Sequence, residues 1–142
     1  MYIIKLLLPF ILTALFCSTA QAVTVTFEDI PNHQIEDGYG GISGWNEAGQ
    51  LSSSSTGIGD YWFHGWGGEL RFDSAPVIFE GVYYQSWGGD TNLPSYSLYY
   101  QNQLVYSDAL DPNQPSPYWL ASNYTGLVDK IYFYASSDGI VL

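Results

Sequence analysis

Positive charge is scarce in this sequence. Three lysines and arginines stand against 14 aspartates and glutamates, which gives a formal net charge of −11. Beyond the first 22 residues, only Arg71 and Lys130 remain as strong bases while every acid is kept, so that part carries −12. Proteins that bind nucleic acid or anionic membranes need basic patches. The composition therefore argues against both as partners.

Cysteine is almost absent too, since Cys17 is the only one. The rest of the chain can form no disulfide and has no thiolate chemistry. Lipoprotein acylation requires a small residue directly before the cysteine, and Phe16 stands there instead. We therefore expect no lipid anchor, and we expect the fold to depend on its hydrophobic core, with or without a metal ion.

Long hydrophobic runs are missing except in residues 1–22. There, Lys5 precedes the apolar run Leu6–Phe16, which Pro9 interrupts, and Ala20-Gln21-Ala22 forms a small-x-small cleavage site. The run is shorter than the ~20 residues that span a bilayer. The pattern predicts a cleaved secretory signal peptide, a secreted protein and no membrane insertion after cleavage. The alternative is that the segment stays as a membrane anchor.

Aromatic residues and glycine are plentiful: aromatics make up 18% of the chain and there are 15 glycines. No long segment has helical periodicity, and glycine or serine recurs every few residues. This pattern is typical of all-β proteins. It predicts one domain over residues 23–142, an antiparallel jelly-roll-like β-sandwich of eight to ten short strands.

Alternation of apolar and polar residues places the strands. Strands are expected at Val23–Phe27, at Val77–Tyr84, which has the strongest pattern, and at Val128–Ala135. A hairpin is expected between 96–100 and 104–107, turning at 101–103 because asparagine tolerates the left-handed region. The side chains predicted to be buried are those on the apolar side of their strands: Phe27, Phe79, Leu98, Ile131 and Phe133.

Three stretches resemble one known family. They are Val23–Trp45, with Glu28-Asp29 followed by Gly38-Tyr39-Gly40-Gly41, then Ala75–Tyr83, and Gly126–Phe133. Together they resemble exported bacterial β-sandwich proteins, many of which carry a C-terminal PEP-CTERM sorting tag. The tag's V-P-E-P-like segment does not occur in this sequence. The resemblance implies a jelly-roll, galactose-binding-like sandwich and leaves the activity open.

The resemblance also implies a metal site. In similar carbohydrate-binding jelly rolls, acids on the first strand meet an acid on the last strand around a structural calcium. Glu28 and Asp29 lie at the matching start, and carboxylates are the hard ligands that Ca²⁺ prefers. One hypothesis is therefore a structural calcium at Glu28 and Asp29. The alternative is a solvated strand end, because the Asp-Asp ending of the family's last strand is missing here.

Aromatic residues in turns suggest a carbohydrate-binding surface. Tyr39, Trp66 and Trp87 are each followed by two glycines, which cannot cover the ring. Asp90 and Asn92 follow Trp87 and offer hydrogen bonds to hydroxyl groups. These five residues are the predicted ligand-binding site, and an extracellular polysaccharide is the predicted partner. Trp119 belongs to the same class of ring beside a turn. In the alternative interpretation the rings fill the core and the glycines allow close packing.

Catalytic motifs are not found. The sequence has no G-x-S-x-G element, and His33 and His64 belong to no metal-binding pattern. We therefore expect a secreted, non-catalytic surface or extracellular-matrix module that binds carbohydrate. Two alternatives remain open: a purely structural extracellular protein without a small-molecule ligand, and a glycan-active enzyme. The second would need two carboxylates facing each other across a cleft.

Overall fold

The computed structural model describes residues 23–30, 34–53, 61–65, 67–86, 95–111, 117–134 and 140–141. Its helical elements in these ranges are a 3₁₀ turn, Tyr39–Gly41, and the single-turn helix α1, Trp45–Ala48. The strands are β1 Ile42–Ser43, β2 Gly49–Ser53, β3 Tyr61–Gly65, β4 Gly68–Phe72, β5 Val77–Ile78, β6 Gly81–Ser86, β7 Ser95–Tyr100, β8 Gln103–Ala109, β9 Tyr118–Ala121, β10 Leu127–Val128, β11 Lys130–Tyr134 and β12 Ile140–Val141. Among these described elements, no helix is long and apolar enough to cross a membrane.

The strands form two five-stranded sheets. The first sheet has the order β1-β4-β11-β7-β8, the second sheet has the order β2-β3-β12-β6-β9, and β10 pairs with β5 separately. Every pair is antiparallel. Leu98 and Phe133 of the first sheet share one core with Phe63 and Tyr84 of the second. The prediction of an antiparallel all-β sandwich is confirmed, while the jelly-roll connectivity stays a prediction.

Strand β11 shows how alternation builds the two sides of a sheet. Ile131 and Phe133 are buried in the core, whereas Tyr132 and Tyr134 are exposed. Successive side chains of a strand point to opposite faces, so this burial pattern follows directly from the sequence. The predicted burial of Ile131 and Phe133 is confirmed.

The β7–β8 hairpin is also confirmed, with a tighter turn than predicted. Its two turn residues, Gln101 and Asn102, have φ values of 51° and 62°. Positive φ at both positions is the mark of a type I′ turn, whose twist matches that of paired strands. The Gln101 amide donates to Asp129 Oδ2 at 2.7 Å, which ties the turn to β11. A bulge between Leu98 and Tyr99 interrupts the register and was not predicted.

The predicted strand Val77–Tyr84 is wrong as one continuous element. Its first part, β5, pairs with β10, whereas β6 belongs to the second sheet. Gly81 begins β6 with φ of 152°, a conformation that side-chain-bearing residues rarely adopt, and it redirects the chain there. Phe79 lies between the two strands and is only half-buried against the core, so the prediction of its full burial is wrong as well.

The segment Val23–Phe27 is not part of a strand, although its burial follows the predicted phase. Val23 is exposed, Val25 is half-buried and Phe27 is buried. The Phe27 ring packs edge-on against Trp45, with the ring centroids 5.7 Å apart. Trp45 begins α1 and is itself buried. Burial of Phe27 therefore comes from aromatic packing and does not require strand pairing.

Candidate functional site

Four of the five predicted ligand-binding residues lie outside the described residues. These are Trp66, Trp87, Asp90 and Asn92. The binding surface predicted on the loops therefore stays a prediction.

Tyr39, the fifth, lies inside the network that holds the N-terminal segment in place. Its ring stacks on Phe27, with centroids 6.2 Å apart and planes inclined by 27°. Its hydroxyl lies within hydrogen-bonding distance of the Thr26 carbonyl and an Asp29 carboxylate oxygen. Its carbonyl accepts a hydrogen bond from Trp45 Nε1 at 3.1 Å. Desolvation, the hydrogen bond to Asp29 and the nearby acidic charges raise the pKa of Tyr39 to about 12. One ring face and both polar groups of Tyr39 are thus engaged within the protein.

The predicted calcium ligands Glu28 and Asp29 are exposed, in a turn directly after Phe27. The described residues contain no group of three or more histidine, cysteine, aspartate or glutamate side chains close enough to share a metal ion. Calcium takes six to eight oxygen ligands, so two carboxylates would need backbone carbonyls and water to complete the shell. The calcium site also stays a prediction.

A row of aligned residues that contains both bases crosses the outer face of the first sheet. Cross-strand pairing aligns Ser43 of β1 with Arg71 of β4, Lys130 of β11, Tyr99 of β7 and Leu104 of β8. Residues aligned in this way share one face of the sheet. The row therefore brings Arg71 and Lys130, the only two strong bases beyond residue 22, to neighbouring positions.

Glu69 lies close to both bases of this row and forms an ion pair with each. Lys130 Nζ lies 2.9 Å from Glu69 Oε2, and the Arg71 guanidinium pairs with the other carboxylate oxygen. Desolvation would raise the pKa of Glu69, but hydrogen bonds and charge from Lys130 and Arg71 outweigh it and lower that pKa. Lys130 Nζ also lies 4.7 Å from the centre of the Tyr99 ring, a cation–π contact. Glu69 is therefore ionised and both of its oxygens are engaged.

An open depression of about 500 Å³ lies beside this cluster. It is lined by Glu69, Arg71, Phe72, Asn102, Asp129 and Lys130. Two acids and two bases make its formal charge zero, and Asn102 adds an amide that can donate and accept. The depression thus combines several hydrogen-bonding groups with no excess charge.

Two tyrosines on the outer face of β11 are exposed, and one of them, Tyr132, lies directly opposite Glu69, which lines the depression. Tyr132 and Tyr134 are 42% and 53% exposed and project from the outer face of β11. Their partners on β7 are Ser97 and Ser95, so the floor beside the rings is made of small polar side chains. Residues two apart in a strand are about 6.6 Å apart, so the two tyrosines are neighbours on this face. We call Tyr99, Tyr132 and Tyr134, with the depression beside them, the first-sheet face.

The second sheet exposes a separate aromatic pair. Tyr83 of β6 is 50% exposed and Trp119 of β9 is 48% exposed. The two residues are direct cross-strand partners, with ring centroids 5.2 Å apart and planes inclined by 65°. A Cβ atom on Gly81 would lie 2.7 Å from Trp119 Cζ2, so the indole ring covers this glycine. We call the two residues the Trp119–Tyr83 pair.

Most of these strand aromatics were not predicted, because the sequence prediction was based on rings beside turns. Of the five strand aromatics on the two surfaces, only Trp119 was among the predicted rings beside turns. The signal for Tyr132 and Tyr134 was nevertheless present: both alternate with Ile131 and Phe133, and a strand that buries one set must present the other to solvent.

Comparison with known proteins yields no relative for this chain. No protein-family model, curated protein or solved structure matches it. The resemblance to exported bacterial β-sandwich proteins therefore stays a prediction, and the functional argument starts from the two aromatic surfaces.

Proposed function

We propose that this protein is a secreted, non-catalytic module of the cell surface or extracellular matrix that binds carbohydrate on the first-sheet face. The observation that supports it best is the exposure of Tyr132 and Tyr134 on the same face of β11 as Lys130, which lines the depression together with several other polar side chains. The signal-peptide pattern of residues 1–22 supports the secreted location.

A sugar ring has two kinds of surface, and the first-sheet face offers a partner for each. The C–H face of a sugar stacks on an aromatic ring, and tyrosine provides such a ring with little loss of side-chain entropy. The sugar hydroxyls pair with amides and charged groups. Asn102, Asp129 and the exposed guanidinium of Arg71 provide such groups. Because the depression has no net formal charge, a neutral polysaccharide fits it. We expect dissociation constants in the millimolar to micromolar range, because an open surface buries little area.

The state of the carboxylates favours binding over catalysis. Glycoside hydrolysis needs one carboxylic acid that stays protonated until it donates its proton. Glu69 has a lowered pKa and two ion pairs. Asp129 accepts a hydrogen bond from the Gln101 amide. Glu69 is therefore not held in the protonated state that a general acid requires.

Affinity electrophoresis through gels that contain single neutral polysaccharides tests the proposal. At least one polysaccharide should retard the wild-type protein, and Tyr132→Ala should weaken that retardation about tenfold, as expected when a stacking ring is lost. Tyr83→Ala is the matched control, because it removes an equally exposed tyrosine from the other sheet. Trp87→Ala tests the binding surface predicted on the loops.

Three outcomes distinguish a site on the first-sheet face, a site on the loops and no carbohydrate site. Weakened retardation in Tyr132→Ala alone supports the first-sheet face. The same loss in Trp87→Ala alone would move the site to the loops and contradict the proposal. No retardation by any neutral polysaccharide would favour a structural extracellular protein without a small-molecule ligand.

A further inference from the structure

Strand β11 presents three side chains in a line on its outer face. Lys130, Tyr132 and Tyr134 occupy every second position, while Ile131 and Phe133 between them are buried in the core. The rise of a strand places the α-carbons of Lys130 and Tyr134 about 13 Å apart. This span is longer than a single sugar ring, so a monosaccharide cannot contact all three positions at once.

The line has a polar end and an aromatic end. At the polar end, Lys130 lines the depression, with its Nζ atom 2.9 Å from Glu69 Oε2 and 4.7 Å from the centre of the Tyr99 ring. Tyr132 lies in the middle, directly opposite Glu69. Tyr134 forms the aromatic end and is 53% exposed. Hydroxyl groups of a ligand fit the polar end, and the C–H faces of the following sugar units fit the two rings.

The side of the two rings that faces β7 and β8 is open. The cross-strand rows that contain the tyrosines continue over these two strands with small residues: Ser97, Ser107, Ser95 and Ala109. Residues aligned across neighbouring strands share one face of the sheet. In these rows, therefore, no large side chain separates the rings from a ligand that lies along β11.

The position of β11 argues against a protein partner on this face. β11 is the central strand of its sheet, with β4 and β7 paired to its two sides. An extended peptide therefore cannot add to it as a further strand. A second copy of this chain would bring another −12 charges, which opposes association. A neutral glycan needs neither backbone pairing nor charge complementarity.

We propose that the first-sheet face contains three subsites in a line and takes a linear neutral glycan of at least three sugar units. This inference rests on the proposed function and specifies its ligand class. The first subsite is the depression at Lys130, where Asn102 and Arg71 meet sugar hydroxyls. The second and third subsites lie at Tyr132 and Tyr134. The favoured ligand is therefore the main chain of a polysaccharide, and single sugars and disaccharides bind more weakly.

Nuclear magnetic resonance titration of ¹⁵N-labelled protein with linear oligosaccharides of two, three and six units tests the proposal. The probes are cut from the main chain of the neutral polysaccharide that retards the wild-type protein most. Affinity should rise about tenfold from the disaccharide to the trisaccharide, because the third unit engages one more stacking ring. From the trisaccharide to the hexasaccharide it should rise by no more than about fourfold, because added units only increase the number of binding registers.

Two variants separate the subsites. Tyr134→Ala should weaken binding of the trisaccharide about tenfold but that of the disaccharide by no more than about twofold, because two units still fill the first two subsites. Tyr132→Ala removes the middle subsite and should weaken binding of both. Tyr83→Ala is the control and should leave every affinity unchanged, because that ring lies on the other sheet. Circular dichroism and thermal unfolding establish that each variant is folded.

The outcomes separate this inference from the proposed function. Equal affinity for the disaccharide and the trisaccharide, or unchanged trisaccharide binding in Tyr134→Ala, would overturn the three-subsite arrangement. If Tyr132→Ala still weakened retardation, the proposed function would stand. A further tenfold gain beyond three units would also contradict the arrangement. No retardation by any neutral polysaccharide would remove the proposed function and this inference with it.

Discussion

The two sheets of the sandwich present exposed aromatic rings to solvent, and they surround those rings with different charges. On the first sheet, Tyr132 lies opposite Glu69, which forms ion pairs with Arg71 and Lys130, and together with Asp129 these charges sum to zero. On the second sheet, Trp119 and Tyr83 stand on strands without formal charge. The comparison teaches that two sheets of one sandwich can expose similar rings in different electrostatic surroundings.

The difference arises from three charged residues in two paired strands, Glu69 and Arg71 of β4 and Lys130 of β11. Cross-strand pairing places Lys130 directly opposite Arg71, and it places Tyr132 directly opposite Glu69. Two like charges opposite each other destabilise a sheet unless a carboxylate lies between them. Glu69 supplies that carboxylate and forms ion pairs with both bases. The strands of the second sheet contain no aspartate, glutamate, lysine or arginine, so no such ion pairs form between them.

The largest effect on stability is expected in β11, where neighbouring side chains lie in the core and on the surface. Phe133→Ala should reduce the free energy of unfolding by about 3–5 kcal/mol, because it removes a large ring from a packed core. Tyr134→Ala, at the next position, should change it by less than about 0.5 kcal/mol, because that ring is exposed. Urea denaturation measures both. Similar losses in the two variants would mean that Tyr134 is not on the outer side of β11.

An intermediate effect is expected from Gly81→Ala in the second sheet. The new methyl group would meet the Leu120 carbonyl and the Trp119 ring, and φ at this position is 152°. We expect a loss of about 2–3 kcal/mol, together with a changed near-UV circular dichroism signal as the indole moves. Gly41→Ala is the matched control: φ is also positive, at 73°, but nothing lies within 4 Å of the new Cβ. It should lose about 1 kcal/mol. Equal losses in the two variants would contradict the placement of the indole over Gly81.

A smaller effect is expected from Glu69→Gln in the first sheet. At neutral pH the loss should be about 1 kcal/mol, because the ion pairs are partly exposed to solvent. The folded protein has a lowered pKa for Glu69, so the stabilisation is present above the ordinary glutamate pKa and disappears as the pH falls through the lowered value. The difference in melting temperature between wild type and variant should therefore shrink toward zero in acid. A difference that stays constant with pH would rule out the ion pairs as its cause.

The sequence predicted the local features of the fold well. Alternation in β11 identified Ile131 and Phe133 as core residues, and asparagine at the turn identified the β7–β8 hairpin. These features depend on neighbouring residues only, so a single sequence contains the necessary information. The division of Val77–Tyr84 depends instead on which distant strands pair with each half, and that information is not local.

The candidate surfaces were predicted less well than the fold, for the same physical reason. The contact of Glu69 with Lys130 joins residues 61 positions apart, and only the register of β4 against β11 brings them together. The search for rings beside glycine pairs favoured the loops, although a flat sheet face also leaves rings uncovered. Applied to both sides of each strand, the alternation rule would have drawn attention to Tyr132 and Tyr134.

The most direct test of the account is a nuclear magnetic resonance titration of protein carrying ¹³C-labelled tyrosine rings with a neutral oligosaccharide cut from the polysaccharide that retards the protein most. Signals are assigned by single Tyr→Phe substitutions. The account predicts that the ring signals of Tyr132 and Tyr134 shift with one common dissociation constant, while the signal of Tyr83 stays in place. Shifts confined to tyrosines outside the first sheet, or no shift of Tyr132 at saturating ligand, would contradict the assignment of carbohydrate binding to the first-sheet face.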